Sequence, residues 1–253
     1  MENILVIDIG NTNIVCGLYC EGVLFRSWRI HSDQEKTTDE YFVILSNLSD
    51  HIQLSYIALA SVVPAIGQTI ERVITKYLKV PYVFVTGRTD LGMNFPVEDP
   101  SLIGADLIVN GYMAWQKYQT NCIVCDLGTA TTIQLISKEG EFLGTVIMPG
   151  MITGASNLFD KAALLTRIQI EDSPTLLGLN TKDSLLAGII RGHAFSIDGF
   201  IRSIKEQYNE LGDFTTIATG GFSNLIKRHS SLVDIADNTL ILEGLYNIAK
   251  KYW

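Results

Sequence analysis

Asp8-Ile9-Gly10-Asn11-Thr12-Asn13, set directly after the apolar run Ile4-Leu5-Val6-Ile7, returns in altered form as Asp126-Leu127-Gly128-Thr129-Ala130-Thr131. The offset is 118 residues (126 − 8 = 118), and it holds without a gap to Glu21-Gly22 against Glu139-Gly140. One Asp-x-Gly turn is a weak signal. Two in register, each leading through a second strand into a Glu-Gly turn, point to a duplicated domain with two polar turns facing one cleft. That arrangement suits phosphate chemistry.

The physical content of the turn supports this. The run before Asp8 is short, apolar and β-branched, as a buried central strand is. Gly10 permits backbone angles that other residues avoid. Asn11, Thr12 and Asn13 offer amide and hydroxyl groups beside backbone N–H donors, which suit phosphate oxygens. A carboxylate repels phosphate unless a cation lies between them, so Asp8 reads as a ligand, direct or through water, of a hard Mg²⁺ ion. An ordinary Gly-Asn hairpin turn with a solvated Asp is the alternative for the first copy taken alone. The second copy weighs against it.

At 253 residues, 47% hydrophobic and 18% charged, the chain can bury a large core and is not a disordered one. A net charge of −8 without a basic cluster argues against nucleic acid as a partner. No apolar run reaches membrane-spanning length and no leader pattern opens the chain, so a cytoplasmic enzyme is expected. Phosphate-binding and hydrolase motifs of other kinds (G-x-x-x-x-G-K-[ST], G-x-G-x-x-G after a strand, G-x-S-x-G, H-E-x-x-H) are absent. Cys122 and Cys125 form a C-x-x-C, but in a strand an odd separation sends the two thiols to opposite faces. Buried free thiols are expected there and at Cys16 and Cys20 rather than a zinc site. His31, His51, His193 and His229 show no ligand-like pairing and are expected on the surface or in packing.

Strands are expected at 3–8, 14–20 and 23–30, joined by tight turns. A helix near 39–50, a strand at 56–62, a helix at 67–77 and a strand at 82–85 follow. Residues 87–100 read as a loop and 104–117 as a bridging helix. The second half repeats the opening with strands at 121–126, 131–137 and 141–147. Helical patterns then cover 151–164 and 181–209, with a strand at 215–219 and a last helix at 240–250. This plan is that of a duplicated ribonuclease H-like (actin-like ATPase) α/β fold. It predicts two mixed five-stranded sheets flanked by helices, divided at 1–113 and 114–253, with the active cleft between them.

With these residues in place, the chain resembles the type III pantothenate kinases over essentially its whole length. The matching segments are Asp8-Ile9-Gly10-Asn11-Thr12, Gly104-Ala105-Asp106, Asp126-Leu127-Gly128-Thr129-Ala130-Thr131-Thr132, Pro149-Gly150, Asn180-Thr181, Ala218-Thr219-Gly220-Gly221 and Leu242-Glu243-Gly244-Leu245. The resemblance implies ATP-dependent phosphorylation of pantothenate to 4′-phosphopantothenate in coenzyme A biosynthesis. It implies that Asp8, Ile9, Gly10, Asn11, Thr12, Asn13, Ile14 and Val15 cradle the phosphates of Mg²⁺-ATP and that Thr129 touches the nucleotide. Asp126 is implied to hold a monovalent cation, K⁺ or NH₄⁺. Asp106 is implied to be the general base toward the primary hydroxyl of pantothenate, as a carboxylate in line with the γ-phosphate should be. A helix-start residue that stabilises the macrodipole is the other reading of Asp106, and both can hold. Gly104, Ala105, Leu107 and Thr181 are implied to line the pantothenate site of a homodimer, near the subunit interface.

Four positions depart from the family pattern. Leu107 stands where an arginine is usual, and Val97-Glu98-Asp99-Pro100 where Tyr-x-Asn-Pro is usual. Leu179 replaces a frequent basic residue, and Gln134 occupies an acidic or amide position. Losing a guanidinium that pairs with a carboxylate forfeits about 1.5–3 kcal/mol, one to two decades of affinity. Arg88, Arg167 and Lys182 are the candidates to replace that charge. The departures leave two readings beside an active pantothenate kinase: a nucleotide-binding regulatory paralogue, and a kinase for another small hydroxylated acceptor.

Overall fold

Asn3–Ile9 (β1) is apolar on both faces and buried along most of its length, which puts it at the centre of a sheet. In this computed structural model, which describes every residue except 1, 51, 163, 164 and 166, the chain forms two compact units. Unit 1 comprises Met1–Met93, Val97–Met113 and Leu240–Trp253; unit 2 comprises Asn94–Pro96 and Ala114–Thr239. The last helix, placed by the sequence reading in the second half, thus packs with the first.

In unit 1, β1 pairs antiparallel with Asn13–Cys20 (β2), which pairs antiparallel with Val23–His31 (β3). On its other side β1 runs parallel to Tyr56–Ser61 (β4), and β4 runs parallel to Tyr82–Phe84 (β5). Thr38–Leu48 (α1) starts in a full capping box, Thr37 and Glu40 each bonding the other's backbone N–H. It packs against Pro64–Val73 (α2), which runs on into a π-helical turn at Ile74–Leu78. These helices cover the sheet face carrying Leu5, Ile7, Ile9, Ile57 and Leu59.

The opposite sheet face meets the last helix, whose Leu242 reaches the space left by Gly17. A Cβ on Gly17 would lie 3.0 Å from Val6 and 3.3 Å from Leu242. Burying each such leucine contributes about 1.5–3 kcal/mol.

Unit 2 repeats the topology. Asn121–Leu127 (β6), Ala130–Ile136 (β7) and Phe142–Pro149 (β8) form an antiparallel meander. Phe214–Thr219 (β9) and Ile235–Ala236 (β10) add in parallel on the other side of β6. The strand orders are β3-β2-β1-β4-β5 and β10-β9-β6-β7-β8. Ala105–Tyr118 (α3) passes from one unit into the other. Met151–Lys161 (α4), Thr181–Leu186 (α5), Gly192–Gln207 (α6) and Ser223–His229 (α7) follow in unit 2. Ala187–Arg191 joins α5 to α6 as a π-helical turn. Leu240–Tyr252 (α8) is the helix that returns to unit 1.

The repeat reaches fine detail. Gly22 and Gly140 share φ of 84°, and the β2–β3 and β7–β8 ladders each carry a bulge, at Leu18/Tyr19 and Leu135/Ile136. The two polar turns differ by one residue. Gly10 N–H donates to Asn13 O at 3.0 Å, whereas Gly128 N–H donates to Ala130 O at 3.1 Å, one residue nearer.

Two elements were not foreseen, α7 and the two-residue β10. The helix expected over 181–209 contains the π-helical turn, and the end of the one expected over 151–164 (residues 163 and 164) lies outside the described residues, as does His51. Among the described residues no helix is long and apolar enough to cross a membrane. The thiols are free; Cys125 lies in the unit 2 core and Cys122 faces Ala114 O at 3.5 Å, on opposite sides of β6.

Candidate functional site

The first turn closes the β1–β2 hairpin. Asp8 pairs with Val15 across the ladder, on the parallel side with Ala60, and Ile9 pairs with buried Ile14. Ile9 and Ile14 therefore anchor the turn in the core, while Asp8, Gly10, Asn13 and Val15 are half-buried and Asn11 and Thr12 exposed. Neither Gly10 nor Gly128 has a positive φ. The glycine at position 10 answers instead to a close approach, since a Cβ there would sit 3.1 Å from Asn13 O. The turn is held from a distance by Ser32, just past β3. Ser32 Oγ donates to Gly10 O at 2.6 Å and Ser32 N–H to Thr12 O at 3.0 Å.

Asp106 stands in the first turn of α3, in the same unit as the first turn. Its Oδ1 accepts from Leu107 N–H at 2.8 Å, as a carboxylate at the positive end of a helix does. Burial, the largest influence, nonetheless raises its pKa above the ordinary 3.8, against the pull of the backbone N–H groups. Gly104 makes room for this placement, because a Cβ on it would lie 2.5 Å from Asp106 Oδ1. Val62 links the two features: its N–H donates to Ile9 O at 3.0 Å, and its Cγ1 lies 3.7 Å from that same Gly104 position. Ala105 and Leu107 are buried, so Leu107 belongs to the packed stripe of α3.

The second turn, in unit 2, sets Asp126 opposite Thr132 and, on the parallel side, Thr219. Thr129 is exposed at its tip. Gly150 N–H and Thr153 Oγ1 both donate to Thr129 O, at 3.1 and 2.6 Å. Gly150 must be glycine, since a Cβ would fall 2.3 Å from Gly128 O and 2.4 Å from Thr129 O. Gly220 combines a φ of +85° with a Cβ position 2.7 Å from Asp126 Oδ1 and 2.8 Å from Leu127 O. Those two oxygens thus converge on one glycine. Buried Thr131 bonds His193 Nε2 at 2.9 Å, which gives His193 a packing role; burial lowers its pKa.

Thr181 opens α5 behind the cap Asn180, whose side chain accepts from Asp183 N–H at 2.9 Å. It is exposed in a hollow of about 490 Å³ lined also by Leu165, Gly178, Leu179, Ser184 and Leu185. The three candidate replacement cations are each held by a carboxylate: Arg88 by Asp99 at 3.9 Å, Arg167 by Asp160 at 2.6 Å and Lys182 by Glu171 at 2.5 Å. All three pairs are exposed and so worth little, leaving the cations available to a ligand. Gln134 is buried on β7 with neither amide atom hydrogen-bonded.

The residues present fit Mg²⁺-ATP. Asp8, Asn11 and Thr12 supply hard oxygens around exposed backbone, and nucleotide-bound Mg²⁺ needs only one or two carboxylates. Among the described residues no three His, Cys, Asp or Glu side chains gather for a metal. Ser32, Gly150, Thr153 and Gly220 were not singled out as site residues from the sequence. For two of them a signal was present, since the 118-residue offset carried past the third strand pairs Ser32 with Gly150 (150 − 32 = 118); Thr153 and Gly220 had no such signal.

Two mixed sheets of identical order, each with a polar turn after its central strand, define the duplicated fold of sugar kinases and actin-like ATPases. Solved structures agree. The actin-like MreB 5 of Spiroplasma citri bound to AMPPNP superposes with a TM-score of 0.58 at 9% identity, covering 100% of this chain and 97% of that one. The polyphosphate/ATP-glucomannokinase of an Arthrobacter strain gives 0.52 at 15% identity, covering 99% and 100%. Within that fold, the sequence profile of the type III pantothenate kinase family matches residues 4–203. A type III pantothenate kinase of Bacillus cytotoxicus is 38% identical over 98% of this chain and 96% of its own length. The chain belongs to the type III pantothenate kinase family.

Proposed function

We infer that the protein transfers the γ-phosphoryl group of ATP to the primary hydroxyl of pantothenate, a reaction of coenzyme A biosynthesis. Asp106 carries the reading: a half-buried carboxylate with a raised pKa, at the start of a helix in the unit of the first turn. It accepts the hydroxyl proton and aims the oxygen at phosphorus. Raised basicity favours that acceptance, and the Leu107 N–H holds the carboxylate in place. Asp8 to Val15 bind the ATP phosphates, with Asp8 holding Mg²⁺ directly or through water, and Thr129 binds the nucleotide. Mg²⁺, when bound, draws charge from the phosphates. Asp126 holds K⁺ or NH₄⁺.

Gly104, Ala105, Leu107 and Thr181 border the pantothenate site. The duplication runs 1–113 and 114–253, with α8 returned onto the first sheet. ATP as donor supports a cytoplasmic reaction.

The active species is a homodimer. Leu176, Leu177, Leu179 and Phe195 are exposed in one region of unit 2, and Gly188, Gly192 and Gly199 have nothing within 4 Å of a Cβ position. Apolar surface of this kind is covered in an assembly. The deciding assay is steady-state ATP turnover with pantothenate, Mg²⁺ and K⁺ or NH₄⁺. Asp106→Asn should cut kcat by about 10²–10⁴-fold while nucleotide affinity is kept. ATP turnover independent of pantothenate, or an Asp106→Asn enzyme as fast as the parent, would sink the assignment.

A further inference from the structure

We propose that Ser32 and Thr153 are matched positioning residues, each turning a carbonyl of one polar turn away from the ATP that the turn binds. The proposal rests on the reading of those turns as ATP loops. A backbone carbonyl facing a phosphate places two negative dipole ends together, and an anion site must turn its N–H groups outward instead. Ser32 takes the Gly10 and Thr12 carbonyls, and the Asn13 carbonyl is taken by Gly10 N–H. In the second copy the Thr129 carbonyl is taken twice, by Gly150 N–H and Thr153 Oγ1, and the Ala130 carbonyl by Gly128 N–H.

The two clamps are homologous in place but not in side chain. Ser32 and Gly150 hold the same position after the third strand of each repeat, and each gives its N–H to its turn. Gly150 cannot carry a hydroxyl, because its Cβ would strike Gly128 O and Thr129 O. A hydroxyl comes instead from Thr153, three residues into α4, at the same 2.6 Å but to the Thr129 carbonyl, the one Gly150 N–H also holds. What the two turns share is a hydroxyl, brought from outside the motif, on one of their carbonyls, beside an N–H from the position that follows the third strand.

The test uses the full-length enzyme. Ser32→Ala and Thr153→Val remove each hydroxyl; Ser32→Thr and Thr153→Ser keep it. Each is characterised by KM for ATP and for pantothenate, by calorimetric Kd for a non-hydrolysable ATP analogue, and by thermal melting. Removing either hydroxyl should raise KM for ATP and Kd for the analogue about three- to tenfold, with KM for pantothenate unchanged. The hydroxyl-keeping variants should bind as the parent does.

An ATP KM unmoved in either hydroxyl-free variant overturns the proposal. So does a parallel loss of both KM values and melting temperature that the Ser/Thr exchanges fail to rescue. Asn11→Asp separates this from failure of the underlying reading, since a carboxylate at the tip of a phosphate loop must weaken ATP. If Asn11→Asp binds ATP normally, the loop assignment itself falls. If it weakens ATP while the hydroxyl-free variants do not, only the clamps fall.

Discussion

Asp106 is held by two opposing influences, and for the proposed base their balance sets the pH at which it would act. The N-terminal N–H groups of α3 favour its anion, while burial, the larger influence, favours its acid. Its pKa therefore lies above 3.8, and a base acts only when deprotonated. The acid limb of kcat/KM should fall as pH drops through that raised value; a flat profile down to pH 3.8 would remove Asp106 from the proton transfer. Gly104→Ala should move the carboxylate, because the new methyl would lie 2.5 Å from Oδ1. A displacement of that order costs about ten- to a hundredfold in kcat, which initial-rate kinetics at saturating substrate would read.

The residue type at 106 and its neighbours were legible through the resemblance; its burial was not, since burial is set by packing that no local motif shows. The glycine argument was only partly legible. Gly10 and Gly128 have ordinary φ, and the glycines packed tightest against the turns are Gly150 and Gly220, which touch them from distant segments.

Among elements, the strands after which the turns come were readable because apolar runs ending in Asp-x-Gly admit few alternatives. The connections were less so. The π-helical turn at Ala187–Arg191 leaves the apolar period of residues 181–209 continuous in sequence, so one helix was expected where two are joined by a wider turn. α7 is short, and the two residues of β10 are too few to show a period. The clamps escaped for a different reason: Ser32 and Thr153 lie outside the motifs, in a connector and in a helix.

The junction between β8 and α4 makes a sharp element-level prediction. Gly150→Ala leaves an ordinary φ of −65°, so no backbone penalty arises, yet its methyl would collide with two turn carbonyls. The turn must shift, at about 1–3 kcal/mol. Chemical denaturation should show that loss together with a raised KM for ATP. A variant as stable as the parent would mean that the turn is softer than its packing implies.

At the scale of the whole molecule, the duplication explains two sheets of one order but not which apolar side chains each unit leaves exposed. Unit 2 leaves Leu177 83% exposed and Phe195 53% exposed, and Leu179 is wholly exposed. These side chains lie beside the hollow that holds Thr181, so the surface that calls for a cover and the expected acceptor site share residues. A second copy placed there would bury apolar area that a monomer leaves in water, at about 25 cal/mol for each Å².

Light scattering on the purified protein should therefore give twice the chain mass of 28.0 kDa. Leu177→Glu combined with Phe195→Glu should halve that value, because two carboxylates cannot be buried without partners. If pantothenate binds at this surface, the monomeric variant should lose affinity for pantothenate and keep its KM for ATP, since Asp8 to Val15 and Asp106 lie in unit 1. A parent that stays at 28.0 kDa at all concentrations would refute the dimer. A monomeric variant with both KM values intact would refute the shared site, and would move the search for the missing guanidinium to Arg88 or Arg167.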